Sequence, residues 1–263
     1  SIITDLKDIL DKKERRMSII KEELQEVRDK FGDERRSSIE FSGAEVSIED
    51  MIPDEQVVIT ISHAGYIKRT KLTEYRSQTR GGVGARGSST REEDFLENIF
   101  TATNHNWLLI FTQLGKCFWM RIFEVPEGSK QSKGRAIQNL INIPLDDKVL
   151  AYIPVKDIKD PEYANANFVV LSTKKGLIKK TSLEAYSRPR TNGINAVTIR
   201  EGDELLQARL TNGESEVIIG LKSGKAIRFN ESKTRAVGRT AMGVKGITLG
   251  GPNDEVIGMV CVN

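Results

Sequence analysis

The sequence predicts an all-β fold, a propeller-like array of β units, preceded by one long N-terminal α-helix. Three observations predict it. One strand–turn–strand pattern recurs four times along the 263 residues, at intervals near 50. The first 31 residues instead carry a seven-residue apolar period with no Pro or Gly. Basic residues gather after each repeated turn, and acidic residues gather elsewhere.

The helix comes first. Ile3, Leu10, Met17, Leu24 and Phe31 fall at seven-residue steps. Leu6, Ile20 and Val27 fill the companion position, and Lys13 breaks it. That is a coiled-coil pattern sustained for about four heptads. The reading is a single helix over 1–31, closed by Gly32 as its C-terminal glycine. Residues 32–44 read as a polar connector.

The β region runs from 45 to 263. Val57–Ser62, Leu108–Thr112, Phe168–Thr173 and Val217–Leu221 are apolar strands. Each leads to an anchor glycine, Gly65, Gly115, Gly176 or Gly224, and then to a second strand with basic residues. Glycine supplies the positive φ that a tight hairpin turn demands. The anchors lie 50, 61 and 48 residues apart. Repeats of that length form radial or stacked β arrays, because one small sheet cannot bury both its faces. Four repeats are expected, at about 45–103, 104–155, 164–211 and 212–263. The extra length in the middle interval is placed at Pro154–Asn167, as a polar loop insertion.

Composition excludes several classes. The chain is 38% hydrophobic, enough for a core. No run of 18 or more apolar residues exists, so no membrane span is expected. No apolar leader opens the chain. Cys117 and Cys261 form no CxxC pair and no ligand spacing with His63 or His105, so no metal is expected. Free thiols fit a reducing cytoplasm.

The net charge of +3 hides a segregation. Windows from three residues before each anchor glycine to twenty-five after hold 25 basic and 6 acidic residues, a net of +19 over 116 positions. The remaining 107 positions of 41–263 carry a net of −15. In the first window the candidate DNA contacts are Lys68, Arg69, Lys71, Arg76, Arg80 and Arg86. In the second they are Lys116, Arg121, Lys130, Lys133 and Arg135. The third supplies Lys174, Lys175, Lys179, Lys180, Arg188 and Arg190. The fourth supplies Lys222, Lys225, Arg228, Lys233, Arg235, Arg239 and Lys245. Repetition phases these segments into one basic stripe, suited to a bent duplex held by its phosphates. Aromatic content of 6% argues against base stacking on single strands. No recognition helix is visible. Acidic segments such as Arg91–Asp94 and Glu201–Glu204 are assigned to other faces.

Between the first two repeats lies Gln78-Thr79-Arg80-Gly81-Gly82-Val83-Gly84, followed by Arg86 and Gly87. Gly82 to Gly87 matches GxGxxG, but it neither follows a strand nor opens a helix, so a dinucleotide site is rejected. The segment resembles the box motif Q-R-R-G-G-K-G of the C-terminal domain of DNA gyrase A. Thr79 and Val83 stand where that motif has basic residues, a loss of two charges. Arg188–Ile194 and Arg239–Ile247 look like degenerate boxes, and residues 1–31 look like the end of the coiled-coil arm that precedes the domain.

The resemblance implies a β-pinwheel of four-stranded blades that wraps duplex DNA and gives gyrase its directional, ATP-dependent negative supercoiling. It implies six blades, so the four repeats here read as a piece of the domain with an open ring. It implies no catalytic residue and no cofactor in this segment, with ATP and Mg2+ acting in other domains. The implied partners are double-stranded DNA, gyrase B and the rest of gyrase A, in an A2B2 complex in the bacterial cytoplasm, nucleoid-associated. The topoisomerase IV equivalent and a propeller-like protein-interaction module are the alternatives. Glycines in the box let backbone N–H groups approach a phosphate while arginines add charge.

Overall fold

The computed structural model describes residues 1–33, 36–37, 48–75 and 94–262. They fall into two compact units, Ser1–Val46 and Ser47–Asn263.

The first unit is helical, but as two helices: α1 (Ile2–Asp11) and α2 (Lys13–Phe31). The expected single helix breaks at Lys12, whose backbone is extended at φ −105°, ψ 114°. The break falls beside Lys13, the residue that interrupts the apolar period. The Arg16 guanidinium donates to the carbonyls of Ile9 and Leu10, which the end of α1 leaves without helical partners. Gly32 ends α2 with φ −74°, so it serves there without the left-handed backbone expected of it.

The second unit is four antiparallel sheets. The first is built from β1 (Gln56–Ser62), β2 (Tyr66–Lys71) and β3 (Leu96–Thr103). The second repeat supplies β4 (Trp107–Thr112), β5 (Lys116–Arg121), β6 (Arg135–Ala136) and β7 (Val149–Val155). A short helix α3 (Pro161–Ala166) precedes the third repeat, which supplies β8 (Phe168–Thr173), β9 (Leu177–Ser182), β10 (Ile194–Asn195) and β11 (Leu205–Thr211). The fourth supplies β12 (Glu216–Leu221), β13 (Ala226–Asn230), β14 (Val244–Lys245) and β15 (Val256–Val262).

Strand order shows an exchange that the repeats alone do not announce. The sheets run β3-β1-β2-β6, β10-β5-β4-β7, β11-β8-β9-β14 and β13-β12-β15. Each of the first three blades takes its outer strand from the following repeat. Ile137 N–H donates to the carbonyl of Gly65 at 2.9 Å, Ala196 to that of Gly115 at 2.8 Å, and Gly246 to that of Gly176 at 2.8 Å. Three described blades are therefore four-stranded and the fourth has three strands.

Three apolar cores glue the blades in succession. Ile59 and Ile61 of β1 meet Ile110 and Phe118 of the second blade. Leu109 and Phe111 meet Val169, Leu171 and Tyr186. Val170 and Ile178 meet Ile219 and Met259. Each such buried side chain contributes roughly 1.5–3 kcal/mol. Among the described residues no apolar cluster spans the fourth and first blades. The segment Pro154–Asn167 is not one loop. Pro154 lies in β7 opposite Leu108, and Ile158 and Ala164 are buried. The Asp160 side chain caps α3 by accepting from Glu162 N–H at 3.0 Å.

Polar latches reinforce the junctions from one register position, four residues after the anchor glycine. Arg69 donates to Asn104 Oδ1 at 2.6 Å and to the Val125 carbonyl at 3.2 Å. Trp119 Nε1 donates to the Tyr186 carbonyl at 2.9 Å. Lys180 Nζ sits 3.0 Å from the Glu231 carboxylate, with side chains 7% and 1% exposed. Glu231 also accepts from Thr211 Oγ1 and from the N–H groups of Gly213 and Ser215, at 2.8–3.0 Å.

Burial alone would raise the Glu231 pKa, but these hydrogen bonds and Lys180 outweigh it and hold the carboxyl below its ordinary 4.5. Its stabilisation is therefore complete above about pH 4.5 and is lost as pH falls through the lower folded value. Glu231→Ala strands a buried ammonium and should cost about 3–5 kcal/mol. The double replacement Lys180→Met with Glu231→Leu removes the stranded charge but leaves the Thr211, Gly213 and Ser215 donors unpaired, so it should recover only part of that loss. Urea unfolding of the two variants against the parent chain checks both.

Candidate nucleic-acid interface

Each repeat follows its second strand with a short 3-10 turn, and in the second, third and fourth repeats a basic loop comes next. The turns are Leu72–Glu74, Ile122–Glu124, Leu183–Tyr186 and Glu231–Lys233. The second, third and fourth loops climb the outer edge of the preceding blade before ending in β6, β10 or β14. Arg69 N–H donates to the Pro126 carbonyl and Gly128 N–H to the Arg69 carbonyl, both at 2.9 Å. Val237 N–H donates to the Lys180 carbonyl at 2.9 Å. The close approach needs glycine. Gly134 and Gly243 have φ +79° and +91°, and a Cβ on either would lie 2.5 Å from the carbonyl oxygen of Ile67 or Ile178.

These loops carry exposed cations. Lys133 and Arg135 lie on the loop over the first blade, Arg188 and Arg190 on that over the second, and Arg235 and Lys245 on that over the third. None of the six has a carboxylate within 4.0 Å among the described residues. Lys233 is exposed at the foot of the fourth loop. Lys130 is half-buried, its ammonium 4.3 Å from the ring centre of Tyr75. Arg239 is half-buried and donates to the Asn195 carbonyl at 3.4 Å.

Other expected contacts stand elsewhere. Lys116, Lys175 and Lys225 flank the hairpin glycines rather than the loops. Lys71, Lys174, Lys222 and Arg228 are neutralised by Glu55, Glu204, Glu255 and Glu216 at 2.6–3.6 Å. Four cations assigned to the rim are buried: Lys68, Arg121, Lys179 and Lys180. Arg121 stacks 4.4 Å from the centre of the Trp107 ring and pairs with Glu49, and burial lowers its pKa. Arg69 and Lys180 are latches, and Lys68 and Lys179 spend their ammoniums on backbone carbonyls. These five are corrected from phosphate contacts to internal supports. The box residues Gln78, Thr79, Arg80, Gly81, Gly82, Val83 and Gly84, with Arg76 and Arg86, lie outside the described residues.

Sequence reasoning missed a second repeat. Asp94, Asp147, Asp203 and Asp254 each stand two residues before the inner strand of a blade, β3, β7, β11 or β15. Each carboxylate accepts the backbone N–H at the preceding hairpin turn: Ala64 at 2.9 Å, and Leu114, Lys175 and Ser223 at 3.0 Å. The signal was present, an Asp recurring at 53, 56 and 51 residues. It was hidden because three of the four lie in acidic stretches that look like solvated surface. Hydrogen bonds from the Gly250 and Ser223 N–H groups, among others, hold the Asp254 carboxyl below its ordinary value.

A stack of antiparallel blades that exchange outer strands, with basic loops along their outer edges, defines a propeller-class module. A model of the family "DNA gyrase C-terminal domain, beta-propeller" matches residues 56–103, 106–156, 167–212 and 222–263, and the chain belongs to that family. It is 42% identical over 247 residues, 94% of the chain, to DNA gyrase A of Salmonella typhimurium. It is 44% identical over 258 residues, 98% of the chain, to that of Staphylococcus aureus. The chain spans 27–28% of the length of these relatives. The C-terminal domain of a DNA topoisomerase IV superposes over 81% of this chain and 63% of its own, with TM-score 0.66 and 27% identity. A gyrase A C-terminal domain superposes over 79% of this chain and 65% of its own, with TM-score 0.61 and 22% identity, a likeness of fold.

Asp147 tests the hairpin caps, because it is buried. Asp147→Ala should cost roughly 1–3 kcal/mol by leaving the Leu114 and Lys148 N–H groups without their charged acceptor. Denaturant titration against the parent chain measures it.

Proposed function

We propose that this chain binds duplex DNA along its outer edge, bends it, and so contributes the wrap that makes supercoiling by a parent gyrase directional. One observation carries the reading. Three consecutive blades present their outer edges under basic loops, and six exposed cations on those loops have no carboxylate within 4.0 Å among the described residues. Phosphates satisfy such a surface without base reading. The box at Gln78–Gly84 extends the same chemistry from the first repeat. Strand passage, ATP hydrolysis and Mg2+ chemistry belong to other parts of the parent, which we take to assemble with gyrase B as A2B2 in the bacterial cytoplasm, at the nucleoid. A topoisomerase IV parent is the second reading, favoured by the structural likeness at 27% identity. The 42–44% identity to gyrase A proteins outweighs it.

Affinity for a mixed-sequence duplex should fall steeply with salt. Replacing Lys133, Arg135, Arg188 and Arg190 by alanine should lower the slope of log K against log salt by about 3.6, four contacts at ~0.9 each. A salt-independent affinity would overturn the reading. Alanine across Gln78–Gly84 should leave a folded chain that still binds but bends less, seen as reduced energy transfer between the ends of a short labelled duplex. A shift in linking number after nicking and closing in the presence of the chain reports the wrap itself.

A further inference from the structure

We propose that Lys68 is a positioning residue of the DNA rim. It touches no phosphate itself, but holds the neighbouring blade's loop so that Lys130, Lys133 and Arg135 act together.

Lys68 lies on β2, three residues after Gly65, and is 1% exposed. Its ammonium donates to the carbonyls of Ser129, Lys130 and Ser132 at 2.8, 2.8 and 2.9 Å. An ammonium has three protons, so its donor capacity is exhausted. Three carbonyls converging on one point fix the turn that contains them. Thr70 Oγ1 ties the same loop through the Gly128 carbonyl at 2.8 Å, and Ser132 N–H closes it on Ser129 at 3.0 Å. With its carbonyls drawn inward, the loop leaves Lys133 and Arg135 on the outside. Lys130 is held over Tyr75, next to the segment that carries the box.

The other junctions supply an internal comparison. Lys179 occupies the same position, three residues after Gly176, and is 2% exposed. It donates to the Ala196 carbonyl at 2.6 Å and to that of Arg239 in the fourth repeat's loop. At the middle junction the position is Phe118, which packs beneath Gly193 and offers no donor. An apolar residue therefore suffices to fill the space. The lysines add charge where the loop backbone has carbonyls to bind, despite the desolvation that lowers their pKa values.

The inference rests on the DNA-binding reading, and the test separates the two. In the 263-residue chain, Lys68→Met keeps an unbranched side chain one atom shorter and removes the donor. Amide exchange of 129–134 should accelerate at least about tenfold, one decade of opening equilibrium, while β1, β2 and the 188–193 loop keep their protection. The salt slope for duplex binding should fall by about 2.7, as three contacts lose register, where a direct contact by Lys68 would remove only about 0.9. Unchanged exchange, or a slope reduced by 0.9 or less, overturns the proposal. A wild-type affinity that ignores salt would sink DNA binding instead, and the exchange result would still decide the role of Lys68. If Lys68→Met does not fold, Lys179→Met decides, through exchange at 237–243 and the salt slope.

Discussion

The structure depends on one constraint: the outer strand of a blade must find a partner for its exposed backbone. A sheet edge presents unpaired N–H and C=O groups that invite other chains. In the first three blades β2, β5 and β9 are covered by β6, β10 and β14, each lent by the following repeat. The loan is only two residues long, so the pairing alone is weak. It is deepened by a residue one or two positions further on: Ile137, Val197 and Ile247 are all buried, and each donates its N–H to the carbonyl of the anchor glycine. A loop that must reach this point has its path prescribed. It leaves the 3-10 turn of its own blade, climbs its neighbour's outer edge and turns in at a glycine of positive φ.

That path explains where the charge lies. A loop covering an outer edge has one side against a strand and the other in water. Residues facing inward are met by carbonyls and by latches such as Lys180 with Glu231. Residues facing outward include the six cations of the candidate interface, none with a carboxylate within 4.0 Å among the described residues. Basic character on a loop of this kind costs little, because lysine and arginine keep their charge in water while their stems cover apolar surface. The acidic residues are spent instead at the hairpin turns, where four aspartates accept backbone N–H groups. Segregation of charge is thus a by-product of where each blade needs donors and where it needs acceptors.

The architecture was legible because its signals are local. Alternating apolar strands and anchor glycines at near-50-residue intervals marked four hairpins, and all four formed, with Gly65, Gly115, Gly176 and Gly224 at positive φ. The exchange of outer strands was not legible. Two-residue strands such as Arg135–Ala136 and Val244–Lys245 have no periodicity to read, and their partners lie some 70 residues away in the preceding repeat. The break at Lys12 was equally hidden, since the apolar period passes through it with a single interruption at Lys13. For the interface, a window count treats every cation alike. It could not separate Lys133 from Lys68, because a lysine beside an isoleucine in a half-buried strand looks the same whether its ammonium meets water or a ring of carbonyls. Only the third dimension shows that the position three residues after the anchor points under the next loop.

The same arrangement governs how such a surface can bear load. The cations of the candidate interface belong to one repeat, and the supports that hold them belong to the repeat before it. A pull on the loop 128–134 is therefore passed directly to β2 through Lys68 and Thr70, and a pull on the fourth repeat's loop to β9 through Lys179. Rim and junction are mechanically one element. A substitution that loosens a junction also blurs the charges, and a ligand that engages several loops draws adjacent blades together. The middle junction has no charged cradle; Phe118 packs against Gly193 beside the β10–β5 pairing and the Trp119–Tyr186 hydrogen bond. Dispersion between packed atoms falls away within about an ångström of separation, whereas an ammonium swinging among carbonyls keeps its attraction over a longer path. The two lysine-bound junctions thus add to their packing an attraction of longer reach.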